Sequence, residues 1–472
     1  MSVVGSIRVG GRLIAAVAAV ALAGLGPLGP AVASVPPGTS LWSKDYPDPG
    51  SGENGAGLSV AVSPAGDAIY VTGSVWTSST DSAYATVRYD AATGARQWVS
   101  RYQVQSTFSN AHAVAVSPDG ATVFVTGAST GTHTGLDYAT IGYNAATGEQ
   151  LWVSRYNGRA SQSDGAAALA VSPTGRTVFV TGGSQGRTSA SDYATIAYNA
   201  STGKQLWVRR YNGRANASDA AASLALSRDG RRLYVTGGSR GRTSKADYAT
   251  VAYNTATGRQ LWVSRYNGHA NGAEAGRSVA VSPDGSRVFV TGASQGMTSN
   301  YDYATVAYNA ATGAPLWTKR YNGPANGSDK AAAAAVRPDG GTVYVTGTCS
   351  GSRSDLATIA YRAATGSAIW VRRYGGALDD LANSLAVSPD GSSVFVAGST
   401  TTHADGGDTD EFDLVVAYQA AMGVQRWVNV GPPGSLDRAE AVAVSPDSST
   451  VYATGVDTHF PRLAFITTAI RS

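Results

Sequence analysis

The chain has 472 residues, 43% of them hydrophobic and 14% charged, with 57 glycines and a formal net charge of +4. That turn-rich, charge-poor composition excludes a disordered chain, and so small a net charge gives no electrostatic reason to seek nucleic acid. A lone cysteine, Cys349, excludes an intrachain disulfide.

Residues 1–33 read as a secretory signal peptide. Arg8 and Arg12 form a positive n-region, Leu13 to Leu25 an apolar stretch, and Ala31-Val32-Ala33 a small-x-small cleavage site before Ser34. The apolar stretch is short for a spanning helix, and Pro27 and Pro30 break its continuation. No later segment is long and apolar enough to span a bilayer. Removal of the two arginines lowers the formal charge from +4 to +2. The expected product is one secreted domain over 34–472, in which 34–46 is a closing strand and 54–472 the repeats.

Tryptophan then recurs at Trp42, Trp98, Trp152, Trp207, Trp262, Trp317, Trp370 and Trp427, spaced 53 to 57 residues apart. A period near 55 marks a repeat architecture, whose units bury their apolar faces only against neighbours. One unit, starting at Ala166, divides into four short β-branched and aromatic runs: strand A (ALAVS), strand B (TVFVTG), strand C (YATIAYN) and strand D (LWVRRY). Each ends in turn residues, and nothing sustains a 3.6-residue period, so almost no helix is expected.

Eight copies within one chain reveal which positions the scaffold holds constant. Strand A keeps an alanine (Ala61, Ala115, Ala170, Ala225, Ala280, Ala335, Ala386, Ala443). Strand B keeps an aromatic (Tyr70, Phe124, Phe179, Tyr234, Phe289, Tyr344, Phe395, Tyr452) and ends in glycine, as at Gly73, Gly182 and Gly455. Small residues inside and large ones further out describe a wedge, and four-stranded wedges set radially make a β-propeller. The expected fold is all-β: eight four-stranded antiparallel blades. Strand D appears first, at Leu41 to Tyr46, and is missing after the last strand C, Leu463 to Ile470. The N-terminal strand must therefore complete the last blade and cover its open edge.

The stretch Ala197-Tyr198-Asn199-Ala200-Ser201-Thr202-Gly203 through Trp207, with near copies ending at Trp262, Trp317 and Trp370, resembles the tryptophan-docking repeat of the PQQ-like, eight-bladed quinoprotein propellers. DYATVAYN and WVSRYNG are also similar to the bacterial SBBP propeller repeat, and VSPDGSRVFVTG to the YVTN type. The resemblance implies that each tryptophan packs between neighbouring blades, which suits a large flat side chain in fixed register. Arg88, in place of the motif's Ala, and Met422, in place of its Thr, mark the blades flanking the closure. The activity that the resemblance implies is a PQQ-dependent dehydrogenase. It would need a calcium-bound cofactor and often a vicinal cysteine pair, whereas Cys349 stands alone. No cofactor is therefore expected. A fold of this kind hosts many functions.

Two acidic sets repeat: Asp164, Asp219, Glu274, Asp329, Asp380 and Asp437 before strand A, and Asp137, Asp192, Asp247, Asp302, Asp355 and Asp413 before strand C. Both are assigned to loops of one face. Such acids can bind calcium, but repetition in every blade favours turn capping through backbone N–H groups. The arginines Arg101, Arg155, Arg210, Arg265, Arg320 and Arg373 recur on strand D and read as charges that blunt an exposed sheet edge. His112, His133, His269, His403 and His459 have no metal-ligand spacing. Cys349 reads as a small buried hydrophobe.

Function should reside where the copies disagree. Five residues before the end of strand A they read Leu58, His112, Ala167, Ala222, Arg277, Ala332, Asn383 and Glu440. Four polar side chains at one nominal position, placed at one end of the inner strands near the channel mouth, make His112, Arg277, Asn383 and Glu440 the candidate ligand-binding set. The loop Thr400 to Phe412 is also unusual, gathering Asp405, Asp408, Asp410 and Glu411 beside His403. It reads as a solvated acidic loop. The expectation is a secreted, monomeric, non-catalytic propeller that binds a protein or glycan. The alternative is a hydrolase or lyase using His112, Arg277 and Glu440.

Overall fold

Each unit's β-branched and aromatic runs fold as four antiparallel strands joined by turn residues. The computed structural model describes residues 35–48, 51–76, 78, 81–104, 107–131, 134–376, 378–403, 409–431, 438–457 and 463–472. In the third blade strand A is Asp164–Val171, B is Thr177–Gln185, C is Ser191–Asn199 and D is Gln205–Tyr211, paired in that order. Eight such four-stranded sheets form a ring within Pro37–Ser472. Strand A of each blade contacts its neighbours' A strands, which places it innermost. The described residues contain no helix. The proposed signal peptide, 1–33, lies outside them.

Strand A is longer than its sequence suggests. It begins at Asp164, four residues before the ALAVS run, and holds a β-bulge between Ala166 and Ala168. All eight A strands bulge at the same place. The bulge accounts for the glycine in strand B: a Cβ on Gly182 would collide with the Gly165 carbonyl, which the bulge pushes across the ladder. Beyond the bulge, Ala170 lies opposite Phe179 and Ala61 opposite Tyr70, so the small and large residues of the wedge are cross-strand partners.

Tryptophans join the blades. Trp207 stands between Phe179 of its own blade and Tyr253 of the next, with ring centroids 5.9 and 6.3 Å away. Its Nε1–H donates to the Thr255 carbonyl at 2.8 Å. Trp42, Trp152, Trp207, Trp262, Trp370 and Trp427 are buried, and Trp98 and Trp317 partly so. Each ring lies against the C–D turn glycine of the following blade, such as Gly258 beneath Trp207. Those glycines have φ of 66° to 75°, a conformation that other residues enter only with strain.

Ser40–Tyr46 pairs antiparallel with Ala464–Arg471 and supplies the outer strand of the eighth blade. The Trp42 indole donates to the Ala91 carbonyl of the first blade at 3.0 Å. Gly38 takes the place of a C–D turn glycine against Trp427. One N-terminal segment thus closes both sides of the last blade.

Candidate functional site

The position at which the eight copies disagree is the extra residue of the bulge. The register passes from Gly276 to Ser278 and leaves Arg277 unpaired; Leu58, His112, Ala167, Ala222, Ala332, Asn383 and Glu440 are skipped in the same way. These residues therefore lie within strand A rather than at its end. A bulge frees a side chain from the pleat and re-aims it without breaking the sheet.

Five bulge residues, Ala222, Arg277, Ala332, Asn383 and Glu440, line one cavity of about 870 Å³ between blades four and eight. Arg277 is exposed and among the described residues meets no carboxylate. Burial raises the pKa of the Glu440 carboxyl above its ordinary value, and Arg438 offsets part of that rise. Asn383 donates from Nδ2 to the Ala439 carbonyl of the next blade at 3.0 Å. His112 makes the equivalent contact, Nδ1 to the Ala166 carbonyl at 2.8 Å. An imidazole nitrogen facing a carbonyl must carry the proton. His112 is not among the cavity's lining residues, and among the described residues no hydrogen bond joins it to Arg277 or Glu440.

Most of the cavity's lining, Lys330 and Tyr301 included, was not singled out in the sequence. Lys330 is exposed, with its Nζ 5.3 Å from the centre of the Tyr301 ring. Lys330 follows Asp329 where other blades have Gly165, Ala220 or Ala275, so comparison of the copies at that position would have found it.

The repeated acids and arginines form one structural network, and two readings of them need correction. The acids lie in strands rather than loops: Asp164 opens strand A and Asp192 is the second residue of strand C. The arginines do not blunt a free edge. Arg210 reaches inward over its sheet to the Asp192 carboxylate at 2.8 Å and the Ser184 hydroxyl at 2.5 Å, and also donates to the Tyr156 hydroxyl of the preceding blade at 3.2 Å. Arg265 and Arg320 repeat the pattern with Asp247 and Asp302. The register explains the reach, because Asp164, Ser184 and Asp192 lie side by side across strands A to C. Asp164 accepts N–H bonds from Gly158 at 2.5 Å and Gln185 at 3.0 Å. Asp219, Asp329 and Asp380 take the matching glycine N–H.

The fifth blade departs from this plan. Glu274 is 1% exposed, and among the described residues its carboxylate lacks the short glycine N–H bond that Asp164 and Asp219 accept. Burial, with the neighbouring Asp247 charge, pushes its pKa up to about 7. The sixth blade differs less: Cys349 occupies the serine position opposite Asp329, buried, its thiol pushed up to about 12 by desolvation.

The segment Thr400 to Phe412 is largely an extended hairpin rather than a loop, since Ser393–His403 pairs with Thr409–Gln419. Glu411 pairs with Arg438 at 3.1 Å. Asp405, Asp408, Asp437, His133 and His459 lie outside the described residues, as does the His403 side chain.

Among the described residues no three His, Cys, Asp or Glu side chains stand together as metal ligands. Cys349 has no cysteine neighbour, and the repeated carboxylates Asp164 and Asp192 are held by groups of their own blade. No helix among the described residues is long and apolar enough to cross a membrane.

The sequence pattern of a family described as outer membrane protein assembly factor BamB matches residues 31–250, 84–299 and 247–445. No curated protein matches the chain. Among solved structures, it is similar to Chaetomium thermophilum Sqt1 bound to the N-terminus of ribosomal protein L10, at 13% identity over 89% of this chain and 97% of that one, with a TM-score of 0.59. Quinohemoprotein alcohol dehydrogenase from Comamonas testosteroni is also similar, at 13% identity over 92% and 76%, with a TM-score of 0.54. So is the C-terminal WD40 domain of Sif2, at 10% identity over 91% and 99%, with a TM-score of 0.53. At such identities the likeness concerns the fold.

Proposed function

The chain belongs to the family described as outer membrane protein assembly factor BamB, and from that premise we propose that it is a secreted propeller of the cell envelope that binds rather than catalyses. Its ligand is a protein or a glycan, taken at the channel mouth on the face of the D–A and B–C loops. The ring acts as a monomer, without calcium or PQQ.

The observation that carries this reading is a division of labour. Polar residues that repeat in every blade hold the ring together, as Arg210, Asp192 and Asp164 do. Three that do not repeat, Arg277, Asn383 and Glu440, meet in one cavity. Concave sites with a few converging polar groups are where ligands bind. The hydrolase or lyase alternative would need His112 as a base beside Arg277 and Glu440, yet His112 holds the Ala166 carbonyl and does not line the cavity. A protein ligand has a precedent on this fold in Sqt1, bound to the N-terminus of ribosomal protein L10.

Arrays of peptides and glycans, probed with wild type, Arg277→Ala and Asp219→Ala, test the assignment. Arg277→Ala should lose binding at unchanged melting temperature, because among the described residues Arg277 forms no ion pair with a carboxylate and is exposed. Asp219→Ala should melt earlier, while its folded fraction still binds. Equal binding by wild type and Arg277→Ala would remove the channel mouth as the site.

A further inference from the structure

The face that carries the D–A and B–C loops is electrically one-sided in blades three and four. In blades three and four its loops expose Arg159, Arg187, Arg214, Arg242 and Lys245. Among the described residues Arg187 and Arg242 each donate only from Nε, to the Arg159 and Arg214 carbonyls at 2.8 and 2.9 Å. These bonds tie neighbouring loops together and leave the guanidinium ends outward. No ion pair joins any of the five to a carboxylate among the described residues. The acids of the same sector, Asp164, Asp192, Asp219, Asp247, Glu274 and Asp302, are each at most 6% exposed. Burial of these acids, three of them paired with Arg210, Arg265 and Arg320, beneath uncovered cations leaves a positive surface that the net charge conceals. At the channel mouth Arg277 and Lys330 continue it, alongside one half-buried carboxylate, Glu440, whose charged form burial disfavours.

We infer that this face binds an acidic, extended polypeptide segment, whose carboxylates lie along the loops of blades three and four and reach Arg277 and Lys330 at the mouth. The inference rests on the channel-mouth reading and names its partner. Charge complementarity calls for an anionic ligand, and the shape of the site selects a polypeptide. A flat bilayer would meet loop tips but not the recessed mouth, whose walls include the small side chains of Ala222, Ala275, Ala332 and Ala382. Single-stranded nucleic acid binds on aromatic platforms, and the one aromatic here, Tyr301, lies under Lys330. A narrow chain carrying carboxylates and small side chains fits both the rim and the mouth.

Fluorescence anisotropy with a labelled oligoglutamate tests this against a loop pair (Arg187→Glu, Arg242→Glu), a mouth pair (Arg277→Gln, Lys330→Gln) and a control pair on the opposite A–B turn (Arg228→Glu, Arg231→Glu). Loop and mouth pairs should each weaken binding by about tenfold or more, the control pair by about twofold or less, and added salt should weaken the wild type. The inference is overturned if oligoglutamate does not bind, or if the loop pair binds like wild type. It is also overturned if phosphatidylglycerol vesicles or single-stranded DNA displace the peptide at lower charge concentration than unlabelled oligoglutamate does. Loss in the mouth pair alone would leave the channel-mouth reading standing without this partner. Loss in the loop pair alone would keep the acidic partner and remove the mouth.

Discussion

The Trp42 indole, carried by the N-terminal strand, lies so close to Gly94 of the first blade that a Cβ there would stand 2.6 Å from the ring. Gly94 has φ of 69°, so its position forbids a side chain on two counts, conformation and space. The same segment places Gly38 against Trp427, so the eighth blade docks on both neighbours through residues from the N-terminal end.

Deletion through Tyr46 should therefore do more than shorten the protein. It removes the outer strand of the eighth blade, exposes the edge of Ala464–Arg471 and takes away the Trp42 contact. Light scattering and thermal melts should show aggregation and a lower melting temperature, as expected of an uncovered edge. A deletion variant that stayed monodisperse and melted like wild type would refute the clasp.

Trp262→Ala should destabilise the ring by about 3–5 kcal/mol, the usual result of truncating a large buried aromatic. Trp262→Phe keeps much of the apolar contact but loses the 3.1 Å bond to the Ala310 carbonyl, and should cost about 1–2 kcal/mol. Denaturant titration ranks the three proteins. A Trp262→Ala midpoint equal to that of wild type would end the docking role.

Glu274 makes stability depend on pH. Its carboxyl titrates near 7 when folded, against an ordinary 4.5, so the unfolded chain gives up the proton first. The folded state is favoured fully below about 4.5, and that advantage disappears as pH rises through about 7. Glu274→Asp, which matches the other blades and can accept the Gly268 N–H, should stabilise the protein by on the order of 1–2 kcal/mol at pH 8 and less at pH 5. Thermal melts at the two pH values decide it. An equal gain at both would assign the effect to packing rather than charge.

Cys349 should resist thiol reagents in the folded protein and react only on unfolding, since it is buried and its thiol is pushed up to about 12. Cys349→Ser should change stability by less than about 1 kcal/mol, because serine fills this position in blades two to five. Rapid labelling of the native protein would contradict the burial.

Blade number, strand order, closure and inter-blade tryptophans were legible because each blade must satisfy the same local demands. Every strand B needs its glycine beside the neighbouring bulge, and every C–D turn its glycine under a tryptophan, so these residues recur at one period. The bulge itself left only an indirect trace, since a bulged strand and a straight one share the same apolar run. For that reason the pattern starts strand A at Ala168, puts Asp164 in a loop and makes Arg210 an edge charge, whereas the register sets Asp164, Ser184 and Asp192 side by side.

The sequence by itself determined the ring, because repetition encodes requirements that every copy shares. Only the tertiary structure decided which unshared residues meet. His112, Arg277, Asn383 and Glu440 hold one nominal position, but Arg277, Asn383 and Glu440 line the cavity while His112, in the second blade, holds the Ala166 carbonyl. Their encounter depends on the bulge and on angular position around the channel, and those are properties of the closed ring that no local pattern carries.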